Sequence, residues 1–379
     1  MGGEFDAFST AHSRGRNVVR WTGSHWQGLQ GGMNGPVYCL WSAESDLFAG
    51  GSFSIAGNTP ARNIARWDGT NWHPVGAGLS ISGSAGGAVR AMLAQKSLLF
   101  AAGTFTNAGG IPVHNIAAWD GTGWSDIGGL SGPGLTQVNA LLADDSGFLA
   151  AGSFQRAGGV AATNIARFDG ERWHPVGEGL PDLVNVLAKT PEGKVFAGGG
   201  QSPFGPGVIY EWNGSTWRKI YQGSSAENRS VRLLFWHDGQ LHTDAAHMYT
   251  TFGERTRFLG GLARWENDEW LPLEGPFYPI DAGPVTYRDR LAFGGPLPGA
   301  VTPSVPGVAL WNGKDWDERL GGGVIGSVET LAFDETGLLA SGSFASAVYG
   351  SNFRNALARW NDNDWDYVSE QFLFSAGSL

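Results

Sequence analysis

Over short runs, apolar and polar side chains alternate with a period of two, and no 3.6-residue period runs through these units. In the run I-A-R-W, Ile64 and Arg66 project to one face and Ala65 and Trp67 to the other, as a strand requires. Asp68 and Gly69 then supply turn chemistry, because Gly accepts positive φ and Asp bonds its own backbone. Trp72 follows the turn, so two aromatics flank it and can pair across strands. The spacing predicts a hairpin. A second hairpin lies between copies of the first. Its first strand begins with Val and carries an apolar residue three places on, as at Val37 and Leu40, Val138 and Leu141, Val184 and Leu187, Val231 and Leu234, and Val328 and Leu331. A turn follows, then an apolar strand ending in small residues, such as L-F-A-G-G-S-F at 47–53, then a loop that is often Ala-Gly-Gly.

The pattern recurs. N-I-A-R-W-D-G-T-N-W at 63–72 returns as N-I-A-A-W-D-G-T-G-W at 115–124 and N-I-A-R-F-D-G-E-R-W at 164–173. With weaker copies the leading aromatics are Trp21, Trp67, Trp119, Phe168, Trp212, Trp265, Trp311 and Trp360. The second Trp falls five residues later each time: Trp26, Trp72, Trp124, Trp173, Trp217, Trp270, Trp316 and Trp365. These positions hold all but two of the 17 Trp, Trp41 and Trp236, which marks the aromatics as structural. Four strands repeated about every 48 residues predict an all-β chain, a β-propeller of four-stranded antiparallel blades. We read 1–379 as one domain, with full units at about 36–76, 88–128, 137–177, 183–222, 231–275, 283–320 and 327–368. Segments 1–31 and 369–379 look like pieces of one more blade, a latch that closes the ring through N- and C-terminal strands and leaves no free edge. Counting it gives eight blades. Between Val368 and Phe372 there is no room for a Val-x-x-Leu strand, so seven blades with an accessory hairpin is the alternative.

The apolar run, the Gly pair and the two spaced aromatics resemble a kelch-type repeat. F-x-x-A-G-G followed by N-I-A-R-W-D-G-x-x-W is similar to repeats of secreted or cell-surface bacterial β-propeller proteins and of fungal cortical marker proteins. The resemblance covers essentially the whole chain. It implies an extracellular, cell-surface or periplasmic location. It is specific for fold and does not name a function, because function lives in sites grafted on folds.

Composition removes several classes. The net charge is −10 with 25 Lys plus Arg in 379 residues and no basic run, which argues against nucleic acid and anionic membrane surfaces. No apolar stretch reaches 18 residues, so no membrane insertion is expected. The start, M-G-G-E-F, has no signal-peptide anatomy. The one Cys, Cys39, allows neither a disulfide framework nor a Cys-based zinc site and reads as a buried small hydrophobe.

Candidate chemistry is sparse. Arg20, Arg66, Arg167, Arg264 and Arg359 precede the first aromatic; a residue stamped blade after blade serves the blade, here by packing on or bonding to its neighbour. No nucleophile elbow, dinucleotide fingerprint or P-loop occurs. The turns at 266–269 and 361–364 are acidic enough for Ca²⁺ but lack the twelve-residue loop. No cofactor is expected; Ca²⁺ or another divalent metal is the alternative. Departures from the repeat are more informative. In the fifth unit L-H-T-D-A-A-H at 241–247 replaces the usual run of small residues, which gathers Trp236, His237, His242, Asp244 and His247 in one stretch, and His and carboxylate suit a metal such as Zn²⁺. A spacing of five along one strand alternates faces, so a diverged binding edge is the better reading. The loop at 294–307 carries four Pro and must be irregular. The function expected is a non-catalytic scaffold that binds a protein, as one subunit of a larger assembly. A carbohydrate-binding, lectin-like propeller, with Trp41, Trp236, Tyr278 and Tyr287 stacking on sugars, is the alternative. A hydrolase, lyase or oxidoreductase at the channel mouth is the third.

Overall fold

The computed structural model describes residues 8–9, 14–21, 26–43, 46–83, 86–200, 205–223, 230–244, 249–252, 255–258, 262–273, 282–295, 307–317, 324–334, 337–346, 354–361 and 365–367. Every regular element among them is a strand. Seven four-stranded antiparallel sheets follow one another along the chain. The first is built from Val37–Ala43, Asp46–Gly51, Ile64–Trp67 and Trp72–Pro74, paired in that order. We call it blade 1, and blades 2 to 7 span 88–125, 137–175, 183–222, 234–273, 282–317 and 324–367.

The alternation explains the layering. Each sheet has two faces and each face buries its apolar set against a neighbouring blade. Phe48 and Ile64 of blade 1 cluster with Val89, Leu99 and Phe105 of blade 2. Phe100 and Ile116 of blade 2 cluster with Val138, Phe148 and Trp173 of blade 3. The same sandwiching joins blades 3 and 4, 4 and 5, 5 and 6, and 6 and 7. The first strands of blades 1 to 5 pack on one another in turn, and so do those of blades 6 and 7. The core is therefore a series of layers between blades. The chain is a β-propeller.

Before blade 1, Val19–Trp21 pairs with Trp26–Gly28, and Phe8–Ser9 with Arg14–Gly15. Val18, Leu29 and Met33 of this segment bury themselves against Phe53, Ala65 and Trp72 of blade 1, as a preceding blade would. The segment 369–379 assigned to the latch lies outside the described residues.

Candidate functional site at the bulged end of the inner strands

The repeated residues are consumed by architecture. Asn63, Asn115 and Asn164, the first letters of the recurring motif, are buried and hold φ of 61°, 64° and 61°. Each side-chain oxygen accepts the N–H of Phe53, Phe105 or Phe154 at 3.1, 3.2 and 3.1 Å. Each amide nitrogen donates to the carbonyl of Leu79, Leu130 or Leu180, in the link to the next blade, at 2.7, 2.9 and 2.9 Å. The second Trp staples backwards: Nε1 of Trp72, Trp124, Trp173 and Trp217 donates to the carbonyls of Leu29, Val75, Ile127 and Val176 at 2.7, 2.9, 2.7 and 3.1 Å. The two aromatics of each motif pair across the hairpin, with ring centroids 5.2 Å apart for Trp67 and Trp72. Asp68 closes the turn by accepting the N–H groups of Thr70 and Asn71 at 2.8 and 2.7 Å.

The arginines differ from expectation in one respect. Arg66 pairs with Asp46, and Arg167 with Asp144, each at 2.7 Å and each within its own sheet. Adjacent strands of one blade bring these side chains together sooner than a neighbouring blade can. The links between blades run through the Asn and Trp side chains above.

What the repeat does not consume lies at the start of the inner strand. In five blades the register slips at one residue after the opening apolar position. Val37 pairs with Gly51 and Cys39 with Gly50, which leaves Tyr38 bulged. Arg90, Asn139, Asn185 and Glu329 occupy the same step in blades 2, 3, 4 and 7. Arg232 follows Val231 at the same position of the sequence in blade 5. A bulge re-aims a side chain out of the sheet. It also presses one backbone on another, and this explains the Gly that pairs with the opening Val on the second strand. A Cβ on Gly51, Gly103, Gly152 or Gly199 would stand 2.0, 2.0, 2.1 or 1.8 Å from the carbonyl oxygen of Pro36, Ala88, Gln137 or Leu183.

The bulged residues touch in two groups. The Arg90 guanidinium stacks on the Tyr38 ring, 5.6 Å from its centroid. The Asn139 amide donates to the Val184 carbonyl at 2.9 Å and to the Asn185 side chain at 3.4 Å. Asn185 donates to Ser230 Oγ at 2.7 Å and to the Val231 carbonyl at 3.1 Å. A row of polar side chains thus passes from blade 3 to blade 5.

Antiparallel pairing fixes what else shares this end. The second strand returns to it, so the loop between second and third strands lies here. So does the link from the fourth strand to the next blade: Leu79–Ser80 pairs with Asn107–Ala108 of the next blade's loop, and Leu130–Ser131 with Arg156–Ala157. Among the described residues seven large hydrophobics are exposed, and six of them sit at this end: Tyr38, Ile55, Ile81, Ile111, Leu135 and Val160. Exposed charges here are Arg16, Arg62, Arg90, Arg156 and Arg232, against Asp126 and Glu178. The opposite end, where the hairpins turn, holds Asp46, Asp68, Asp120, Asp144, Asp145, Asp169, Glu171 and Glu192, mixed with exposed Arg20, Lys96, Arg172, Lys194, Arg218, Arg288 and Lys314.

The residues singled out in the fifth unit are placed as follows. A turn at Asp238 and Gly239, with φ of 48° and 74°, interrupts the run, so His237 and His242 stand on neighbouring strands with ring centroids 6.2 Å apart. His242 is buried and stacks on Phe235, 5.1 Å between centroids. Burial pushes its pKa down to about 4, against the raising effect of the Gln240 carbonyl. Asp244 accepts the Leu233 N–H at 3.3 Å. Trp236 is half-buried against the layer between blades 4 and 5. His247 and the loop 296–306 lie outside the described residues. Of the other aromatics named for sugar stacking, Trp41 is half-buried against core layers, Tyr287 is buried, and Tyr278 is outside the described residues. The acidic turn at 266–269 is a tight one, with Asn267 and Asp268 at φ of 52° and 62° and the Asp268 carboxylate bonded to Arg218 at 2.9 Å. Among the described residues no three His, Cys, Asp or Glu side chains gather where they could hold a metal ion. Burial raises the Cys39 thiol to about 12, which suits a small hydrophobe and not a nucleophile.

No family model matches the chain, and no curated protein matches it in sequence. Solved structures of similar shape include the computationally designed Ika8 protein, at 14% identity, TM-score 0.47, covering 83% of this chain and 82% of that one. YCF48 bound to D1 peptide is similar at 12% identity and TM-score 0.47, covering 80% and 88%. The GH74 xyloglucanase from Xanthomonas campestris is similar at 13% identity and TM-score 0.48, covering 92% and 60%.

Proposed function

We propose that the chain is a non-catalytic β-propeller that holds another protein against the bulged end of its inner strands. One observation carries the reading. Residues identical from blade to blade are spent on latches, staples and turns, whereas the bulged position changes from Tyr38 to Arg90, Asn139, Asn185 and Glu329, and Arg232 stands at the matching position of the sequence in blade 5; Tyr38, Arg90, Asn139, Asn185 and Arg232 are partly or fully exposed. A position that is structurally fixed but chemically varied is where a propeller can encode a partner. The kelch-like resemblance adds an extracellular or cell-surface setting, and a place as one subunit of an assembly. Mild native isolation from the source, followed by cross-linking and mass spectrometry, tests it. Stoichiometric partners cross-linked to 52–63, 104–115 or 153–164 are expected. A chain recovered alone as a clean monomer, or one that binds glycans in an array, would sink the reading.

A further inference from the structure

The bulged end differs from the rest of the surface in two independent ways, charge and hydrophobicity. The protein carries a net charge of −10, yet among the residues whose exposure is described five exposed arginines stand here against two exposed carboxylates, with Glu329 a further carboxylate at the bulge of blade 7. Arg90 and Arg232 make no ion pair with any described residue, while Arg66, Arg167 and Arg218 at the turn end are all paired to acids. Apolar side chains exposed singly need no explanation. Six of the seven at one end do, and Leu135 is 74% exposed. Arg90 lies on Tyr38, itself 47% exposed, so a flat cation and an aromatic ring face solvent as one platform.

Resting on the protein-binding reading, we infer that this end takes an acidic partner segment in which apolar side chains alternate with carboxylates. Arg90 at its bulge and Arg232 at the matching position of blade 5 receive the carboxylates. Ile55, Ile111, Leu135 and Val160, on the surrounding loops, receive the apolar residues. A long polyanion is a poorer fit. Its charges run past the end into the field of a net-negative molecule, whereas a short segment meets only charges within a Debye length of about 8 Å. Phosphate chains also offer nothing to the aliphatic side chains.

The test is selection from a random-peptide library on the immobilised full chain, followed by titration of enriched peptides against wild type, Arg90→Glu, Arg232→Glu and, at the turn end, Arg172→Glu. Arg90 and Arg232 are both exposed, so circular dichroism of the variants should match wild type. Enriched peptides are expected to combine acidic and apolar residues. Their affinity should fall about tenfold in each bulge variant, weaken with salt, and stay unchanged in Arg172→Glu. Tyr38→Ala should weaken binding with no change in salt slope. Enrichment of neutral or basic peptides overturns the inference, as does binding that ignores Arg90→Glu and Arg232→Glu. Oligothymidylate of matching charge that binds as tightly, with the same losses, also overturns it in favour of nucleic acid. Peptides sensitive only to turn-end substitutions overturn it but leave the protein-binding reading standing. No enrichment at all, with a clean monomer in native isolation, removes both.

Discussion

Asn115 sits at φ of 64°, a conformation that costs a residue with a Cβ, and it is one of four, with Asn17, Asn63 and Asn164, that hold it at the same step of the repeat. The side chain offsets that cost by joining two backbone groups that burial would otherwise leave without partners. Replacing it separates the two effects. Asn115→Gly keeps the backbone conformation and loses both bonds, at about 2–4 kcal/mol. Asn115→Ala adds the left-handed penalty, about 1 kcal/mol more. Urea midpoints of the two variants should fall in that order. His242 carries a second residue-scale prediction. Its pKa in the folded chain is about 4, below its ordinary 6.5, because burial disfavours the imidazolium and His237 and Arg264 add to this against Asp238 and the Gln240 carbonyl. The unfolded chain therefore takes up its proton first. This site costs nothing above pH 6.5, stability declines as pH falls towards 4, and the loss levels off below that, at roughly 3 kcal/mol. His242→Phe should flatten the dependence of Tm on pH between those limits. A wild-type Tm as pH-independent as the variant's would show that His242 is not held neutral by burial.

At the scale of the element, the bulge depends on glycine. Gly103→Ala would set a methyl 2.0 Å from the Ala88 carbonyl, with rigid backbone on both sides. The strand pair must then part or the bulge flatten, so about 1–3 kcal/mol of stability should go and Arg90 should lose its aim. Gly123→Ala, which meets nothing within 4 Å, should stay within about 0.5 kcal/mol of wild type. Unchanged peptide binding with a lowered melting point in Gly103→Ala would separate the bulge from recognition. The hairpins were legible because their signals are local: an Asp-Gly turn, two aromatics at fixed spacing, alternation over four residues. The Asn latch stood in plain view but its partners lie 15 and 16 residues downstream, in a link with no periodicity. The bulge was hidden for the same reason, since register belongs to a strand pair and not to either strand. The available signal was the changing residue after each opening Val, set against one Gly, at 51, 103, 152, 199 and 342, that does not change in the five bulged blades. His237 and His242 misled because one strand was assumed where a turn at Asp238 and Gly239 makes two.

At the scale of the whole molecule, the layers between blades make stability a chain of neighbouring interfaces more than a single core. Blades 1 to 4 are held by the segment before them through a Trp staple, and blades 1 to 3 by the link after them through an Asn latch. Blade 1 has no complete blade before it among the described residues, and the segment at 16–36 takes that place. Leu29 is buried there, 1% exposed, and its carbonyl receives Trp72 Nε1 at 2.7 Å. Leu130 is as deeply buried, at 0%, in the layer between blades 2 and 3. If the N-terminal segment completes the layer as a blade would, Leu29→Ala and Leu130→Ala should each cost about 2–5 kcal/mol. Chemical denaturation followed by Trp fluorescence reads both, because Trp72 and Trp173 report on the two layers. A silent Leu29→Ala beside a costly Leu130→Ala would mean that the N-terminal segment frays under native conditions, and that blade 1 presents an open apolar face. That face would then compete with the bulged end for any apolar partner, so the same pair of substitutions also decides how peptide selection on the wild-type chain is to be read.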